Sequence, residues 1–330
     1  MLPTIFLATK LPPALVDRLA ASYRVLGPMA LPFDAAVASL PAADAQSVRA
    51  VVSIGSVKVG RSGLERLPNV GLVACFGSGY EGVDLAAARA LGIAVTHSPG
   101  ANASSVADVA MGLVVACMRD FAAGRELIRS GRWPDSANAR RPAAPGLTAR
   151  KLGIYGLGMI GHKIAARAEA FEMQVAYYNR RPLRDVAYVC HATLVDLATW
   201  ADVLVVAVRA NDDNRHAVDR NVLEALGSGG YVINIARGTA IDQSALVDAL
   251  QRGVIAGAGL DVFEHEPQVP MALLELPNVA LTPHIGGYTL EAHAAMRDMV
   301  LDNVDAFFAG RALPTPVPQP DLASGAQGVK

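Results

Sequence analysis

Cysteine is scarce in this chain. Cys75, Cys117 and Cys190 are the three in 330 residues, far apart and each inside an apolar segment. Neither a disulfide framework nor zinc-ligand spacing can be made from them, so a reducing compartment is expected. Net charge is scarce too. The 29 basic and 30 acidic residues leave −1, and without a field of one sign nothing global draws nucleic acid or an anionic membrane to the chain. No apolar run approaches the roughly 18 to 20 residues of a membrane span. Met1 to Leu11 carries neither the basic start nor the long apolar stretch of a secretion signal. No internal repeat is visible. The protein is therefore expected to be cytoplasmic, with small molecules as partners rather than nucleic acid, membrane or metal. What the chain has in plenty is apolar side chain. A content of 52% hydrophobic and 18% charged residues suits an α/β fold with buried parallel strands, and the length suits about two domains.

The most informative stretch is Leu152-Gly153-Ile154-Tyr155-Gly156-Leu157-Gly158-Met159-Ile160-Gly161, with Tyr177-Tyr178-Asn179-Arg180-Arg181-Pro182 one helix length later. It predicts a strand, a glycine turn, a helix and a second strand, the layout that seats a dinucleotide pyrophosphate on backbone N–H groups at a helix N-terminus. Gly156 permits the turn, Gly158 lets backbone approach phosphate, and Gly161 lets the helix lie close to the strand. Ile160, Ile164, Ala165, Ala168 and Phe171 recur at the spacing of a helix face packed on a sheet. Where an NAD site carries an acidic residue for the ribose 2′-OH, this chain has Asn179, Arg180 and Arg181. Two guanidiniums beside an uncharged amide suit a 2′-phosphate, so NADP(H) is expected in preference to NAD(H).

Ahead of this motif, the apolar runs Thr4 to Leu7, Ala50 to Ile54, Gly71 to Phe76 and Ile93 to Thr96 predict a βα domain. From Asn102 to about Ser130, an Ala-rich apolar segment predicts one long helix, capped by Ser104 or Ser105. At about 40 Å it is long enough to bridge two domains. Beyond Pro182, strands are expected at Val203 to Val208, Tyr231 to Ile235, Ile255 to Leu260 and Val279 to Leu281. With the two of the glycine unit they make about six in that half. A last helix, about Thr289 to Phe308, follows Gly286-Gly287 and is expected to return to the first domain. The expected organisation is a discontinuous substrate domain, residues 1–99 plus 286–313, around a dinucleotide-binding domain, residues 100–285. Residues 314–330 form a Pro- and Gly-rich tail expected to fray.

Three residues fall at the carboxyl ends of predicted strands, where ligands bind in an open α/β sheet. They are Arg237 in Asn234-Ile235-Ala236-Arg237-Gly238, Glu266 in Asp261-Val262-Phe263-Glu264-His265-Glu266-Pro267, and His284 in Pro283-His284-Ile285-Gly286-Gly287. Reducing a 2-oxo acid requires a cation for the carboxylate, a hydride donor, and a proton for the oxygen that becomes a hydroxyl. Arginine grips a carboxylate with two parallel bonds, and a histidine backed by a carboxylate delivers a proton. Singly each is a common surface or turn residue; three at successive strand ends carry the inference. His97, His162, His191, His216, His265 and His293 have no partner visible in the sequence and are read as structural or solvent-facing.

On these residues the chain resembles the D-2-hydroxyacid dehydrogenase family, in particular its glyoxylate/hydroxypyruvate and hydroxyphenylpyruvate reductase branch. The likeness runs from about Val51 to Phe308. It implies two Rossmann-like, flavodoxin-like α/β domains with parallel sheets, an active site in the cleft between them, and a homodimer. By motif, Arg237 holds substrate, His284 is the acid/base and Glu266 its partner. The segment Phe76-Gly77-Ser78-Gly79-Tyr80-Glu81-Gly82 resembles the family's substrate loop, with Ser78 and Gly79 N–H groups on the carboxylate and Ser53 to Val57 lining the same cleft. Cofactor contacts are implied for Gly156, Leu157, Gly158, Met159, Ile160, Gly161, Asn179, Arg180, Arg181, Val208, Ile235, Ala236, Asp261 and Gly287. The implied activity is NADPH-dependent reduction of glyoxylate or hydroxypyruvate to the hydroxy acid, D where chiral. Aryl-pyruvate reduction is the alternative, and a nucleotide-sensing corepressor-like protein is a remoter one. Formate dehydrogenases pair the histidine with Gln where this chain has Glu266, and a phosphoglycerate dehydrogenase carries an acidic residue where it has Asn179. Two departures stand out: Arg209-Ala210-Asn211-Asp212 replaces a common Pro-Leu-Thr-Pro, and Tyr288 follows the glycine pair. Arg209 is expected near the adenosine end of the cofactor. Trp133 is expected at the dimer interface.

Overall fold

Each apolar run read from the sequence contains a strand, mostly buried except at the edge strand Val279–Leu281, which is partly exposed. β1 (Thr4–Leu7), β2 (Arg24–Leu26), β3 (Val48–Ile54), β4 (Leu72–Phe76) and β5 (Ala94–Thr96) form a wholly parallel sheet in the order β2-β1-β3-β4-β5. The structure, a computed structural model, describes residues 2–133 and 143–318. The segment 134–142 and the part of the expected tail beyond position 318 lie outside the described residues. The chain divides into two compact units, the first comprising residues up to Asn102 and those from Leu290 on, the second Ala103–Thr289.

In the first unit the terminal helix Leu290–Phe308 closes one face of the sheet. Its Ala292, Met296, Val300 and Val304 pack with Ile5, Leu7, Val52 and Ala74, all nearly inaccessible to solvent. Phe6, Val51, Val73 and Cys75 point to the opposite face, against Phe33 and Leu64. The alternation of side chains along a strand thus builds two cores on one sheet.

The second unit holds β6 (Lys151–Tyr155), β7 (Gln174–Tyr178), β8 (Val189–Cys190), β9 (Val203–Val206), β10 (Tyr231–Asn234), β11 (Gly257–Leu260) and β12 (Val279–Leu281). They make a seven-stranded parallel sheet in the order β12-β11-β10-β9-β6-β7-β8. The order reverses beside β6, the topological switch point of a doubly wound sheet, and the glycine turn lies there. The sheet has one strand more than the six expected. β8 is two residues long at the edge, too short to leave an apolar pattern. β2, three residues at the other sheet's edge, escapes for the same reason.

The single long helix expected from Asn102 to Ser130 is two helices, Ala103–Met118 and Phe121–Arg129. Asp120 breaks it, with a left-handed backbone (φ 49°) and a carboxylate that accepts the Ala123 N–H at 3.2 Å, capping the second helix. The first piece spans about 24 Å rather than about 40 Å. It begins at Ala103, so Ser104 and Ser105 lie within its first turn instead of capping it.

Candidate active site

The glycine turn follows from the absence of side chains at two crowded points. Gly156 has φ 102°, and a Cβ there would stand 2.5 Å from the Val208 backbone; one on Gly161 would stand 2.5 Å from the Gly156 carbonyl. Gly158 differs. A Cβ built on it meets nothing within 4 Å, so the space beside it, at the start of the helix Met159–Ala170, is open to a ligand. That helix buries Gly161, Ile164, Ala165 and Ala168, whereas Phe171 ends it with 44% of its surface exposed. Leu157 is buried, Met159 is exposed and Ile160 is half-buried.

The β7 end is tied to this turn. Asn179 Oδ1 accepts the Leu157 N–H at 2.7 Å, so the amide where an acidic residue was missing has a structural duty. Arg180 and Arg181 follow as exposed cations. An open glycine, an unencumbered helix N-terminus and two guanidiniums on the adjoining strand end are a donor set that fits a phosphorylated dinucleotide. Across from them, Val208 leads into a loop knotted by reciprocal bonds between Asn211 and Asn214 (2.8 and 3.1 Å), with Asn214 also donating to the Arg209 carbonyl at 2.7 Å.

At the carboxyl ends of β10, β11 and β12 the chain assembles a second cluster. Asn234 fixes the Arg237 turn by accepting the Ala236 N–H and donating to the Arg237 carbonyl, both at 3.0 Å. Gly238 then presses on the next loop so closely that a Cβ would stand 1.9 Å from the Phe263 carbonyl carbon. Ile235 and Ala236 are buried beneath. Asp261 is 2% exposed, and its carboxylate accepts the Thr282 hydroxyl (2.6 Å) and the N–H groups of Ile285 and Gly286 (both 2.8 Å). Its own carbonyl accepts the His284 N–H at 2.8 Å. His284 is held between these bonds with φ 53°, a left-handed backbone that only surrounding constraints maintain in a residue of this kind. Gly287 follows, half-buried.

His284 Nδ1 then donates to Glu266 Oε2 at 2.7 Å, while Glu266 Oε1 accepts the Phe263 N–H at 3.0 Å. Burial pushes the Glu266 carboxyl upward, but the bonds from His284 and Phe263 and the charges of His284 and Arg237 outweigh it, leaving the group below its ordinary range. With Nδ1 committed to a carboxylate, Nε2 of His284 is the atom left to exchange a proton. Arg237, Glu266 and His284, far apart in sequence, are thus brought together. The side chains of His284 and Glu266 remain 45% and 35% exposed, accessible to a ligand.

In the first unit, Gly55 packs so tightly on Gly79 that a Cβ would stand 2.3 Å from its carbonyl carbon. The Gly82 N–H donates to the Gly55 carbonyl at 2.6 Å. The Ser53 to Val57 loop therefore supports the Ser78-Gly79 turn directly, and His97 Nδ1 bonds the Ser78 carbonyl at 2.9 Å. Sequence reasoning missed His97, and it missed two further histidines. His162 Nδ1 donates to the Gly158 carbonyl at 2.8 Å, and His216 shares Glu264 Oε1 with Arg215 at 2.8 and 2.6 Å. The i to i+4 spacing of Gly158 and His162 was a usable signal. His216 and Glu264 are 48 residues apart and left none. Trp133 and Tyr288 are 61% and 74% exposed. A separate groove of about 760 Å³, lined by Cys117, Tyr231 and Asn278, sits at the amino ends of β10 to β12 and includes none of the candidate site residues.

A doubly wound sheet with an open glycine turn at its switch point and a histidine–carboxylate pair beside an arginine defines a nicotinamide-nucleotide dehydrogenase. The chain belongs to the D-isomer specific 2-hydroxyacid dehydrogenase family, whose NAD-binding domain model matches residues 111–286. It is 43% identical over 271 residues to a glyoxylate/hydroxypyruvate reductase of Arabidopsis thaliana, covering 82% of this chain and 86% of that protein. It is 38% identical to a hydroxyphenylpyruvate reductase of Plectranthus scutellarioides over 84% of this chain and 87% of that protein. Among solved structures, it superposes with a TM-score of 0.87 and 39% identity, over 96% of each chain, on an NADPH-dependent glyoxylate/hydroxypyruvate reductase of Sinorhizobium meliloti in complex with NADP and malonate. Among the described residues, no helix is long and apolar enough to cross a membrane.

Proposed function

We propose that this protein reduces small 2-oxo acids such as glyoxylate and hydroxypyruvate with NADPH, giving the D-hydroxy acid where the product is chiral. The observation that supports this most is the 2.7 Å bond between His284 and Glu266, with Arg237 near enough for its charge to act on the same carboxylate. When bound, the nicotinamide supplies the hydride. Arg237 grips the substrate carboxylate and polarises the carbonyl. His284, oriented by Glu266, gives the carbonyl oxygen its proton from Nε2. Ser78 and Gly79 offer backbone N–H groups to the carboxylate, a role that rests on the resemblance of their loop. Gly156 to Gly161 take the pyrophosphate, Arg180 and Arg181 the 2′-phosphate, and Val208, Ile235, Ala236 and Gly287 line the remainder of the nucleotide path. Asp261 serves the nicotinamide end by holding the His284 loop.

The test is consumption of NADPH and of NADH with glyoxylate, hydroxypyruvate, pyruvate and phenylpyruvate. Turnover of the first two with preference for NADPH is expected. Preference for phenylpyruvate, or for NADH, overturns the corresponding half of the assignment. His284→Gln and Arg237→Ala should each lower kcat by about 10²-fold or more while NADPH binding survives; full activity in either refutes its role.

The same reading makes the protein a cytoplasmic homodimer. Three free cysteines suit a reducing compartment. The helix Phe121–Arg129 has no buried residue and turns Phe121 and Ile128, 59% and 61% exposed, outward, an apolar face suited to a second copy. Sedimentation of the protein as a monomer at micromolar concentration refutes that assembly.

A further inference from the structure

The loop after β9 carries a feature that the proposed reaction leaves unexplained. Asp213 Oδ2 lies 3.6 Å from Arg180 Nη1, both side chains 80% exposed. A carboxylate is thus set against one of the two guanidiniums assigned to the 2′-phosphate. Its placement is built. Asn211 and Asn214 bond each other's backbone N–H groups, Asn214 Nδ2 ties back to the Arg209 carbonyl, and the short turn Asp212–Asn214 between them presents Asp213. On the other side, Asn179 Oδ1 anchors the β7 end to the glycine turn through the Leu157 N–H, which fixes where Arg180 departs. Arg215, two residues further along the same loop, is committed to Glu264 at 2.6 Å.

We infer that Asp213 is a specificity-determining residue that competes with the 2′-phosphate for Arg180 and so limits the preference for NADPH over NADH. This rests on the NADPH reading above. The physical basis is charge. A ribose phosphomonoester carries close to two negative charges and three acceptor oxygens, and it must displace the Asp213 carboxylate from Arg180 and then lie beside it. NADH carries no such group, and its binding is indifferent to whether Arg180 is occupied. An exposed ion pair resists displacement only weakly, and so the effect is a graded adjustment of preference, not an on–off switch.

The experiment measures dissociation constants of NADPH and NADH, by quenching of protein or nucleotide fluorescence, for the full-length protein and for Asp213→Asn, Asp212→Asn, Arg180→Ala and the Arg180→Ala/Asp213→Asn double variant. Asp213→Asn is expected to tighten NADPH about two- to five-fold and leave NADH unchanged, the gain shrinking as salt screens the pair. Asp212→Asn should give a smaller gain. In the Arg180→Ala background, the benefit of removing Asp213 should fall by more than half. An Asp213→Asn variant with the parental NADPH to NADH ratio, or a gain that persists in full without Arg180, overturns the inference while leaving the cofactor assignment standing. Arg180→Ala and Arg181→Ala variants that bind NADPH as the parent does overturn the assignment itself. Both residues are exposed, so an unchanged melting temperature separates these outcomes from misfolding.

Discussion

The buried carboxylate of Asp261 offers the sharpest test of how the fold holds the candidate acid/base. Asp261→Asn keeps shape and volume but replaces one acceptor oxygen with a donor. The three groups that meet this side chain are the Thr282 hydroxyl and the N–H groups of Ile285 and Gly286. The hydroxyl can rotate and accept; the two backbone donors cannot. They face different oxygens, so either orientation of the amide sets an NH2 against an N–H. One buried donor left unsatisfied costs about 1–3 kcal/mol. For a unit of this size, that lowers the melting temperature by about 3–10 °C. The larger effect falls on activity. His284 keeps its left-handed backbone because the Asp261 carbonyl accepts its own N–H and the Asp261 carboxylate grips Thr282, Ile285 and Gly286 on either side, and a displacement of about 1 Å in a reacting group costs about 10²-fold. Thermal unfolding followed by circular dichroism, with kcat measured well below the melting range, separates the two. An Asp261→Asn protein that melts within about 1 °C of the parent and turns over normally refutes the argument.

Other consequences are open to measurement. Glu266 has its folded-state pKa lowered, so the ionised carboxylate stabilises the site above the ordinary Glu range, and that contribution is lost as pH falls through the lowered value. kcat/KM should fall on the acid side at that point, and Glu266→Gln should abolish that limb; an unchanged acid limb removes Glu266 from the assignment. The glycines should divide by environment: Gly158→Ala, entering open space, should leave the melting temperature unchanged and weaken NADPH about tenfold. Gly238→Ala, forced against the Phe263 backbone, should destabilise by about 1–3 kcal/mol, readable as a shift of the denaturant midpoint. Burial pushes the thiol of Cys75 up to about 12, so it should resist alkylation at mildly alkaline pH until the protein is unfolded. Rapid labelling of Cys75 in the native state contradicts the packing.

What could be read from the sequence, and what could not, divides by the range of the interactions involved. Strand runs such as Val203 to Val206 and the glycine turn carry their information locally, in apolar continuity and in positions where any side chain would collide, and both were legible. The break at Asp120 was not, because the Ala-rich pattern continues through it. Only the left-handed turn, with its own side chain capping the next helix, ends the first segment. The site divides in the same way. Arg237, Glu266 and His284 announce themselves through strand-end motifs, yet the groups that hold them do not. Asp261 stands in a motif but works through a hydroxyl and backbone donors more than twenty residues on, and His216 finds Glu264 only when two loops meet. The contact of Asp213 with Arg180 belongs to the same class. Chemistry-bearing residues here are conspicuous because few residue types can perform their task. The residues that position or bias them act through distance and direction, which the chain acquires only on folding. That is why the catalytic assignment can be argued from motifs, while the approach of Asp213 to within 3.6 Å of Arg180 could not be read from them.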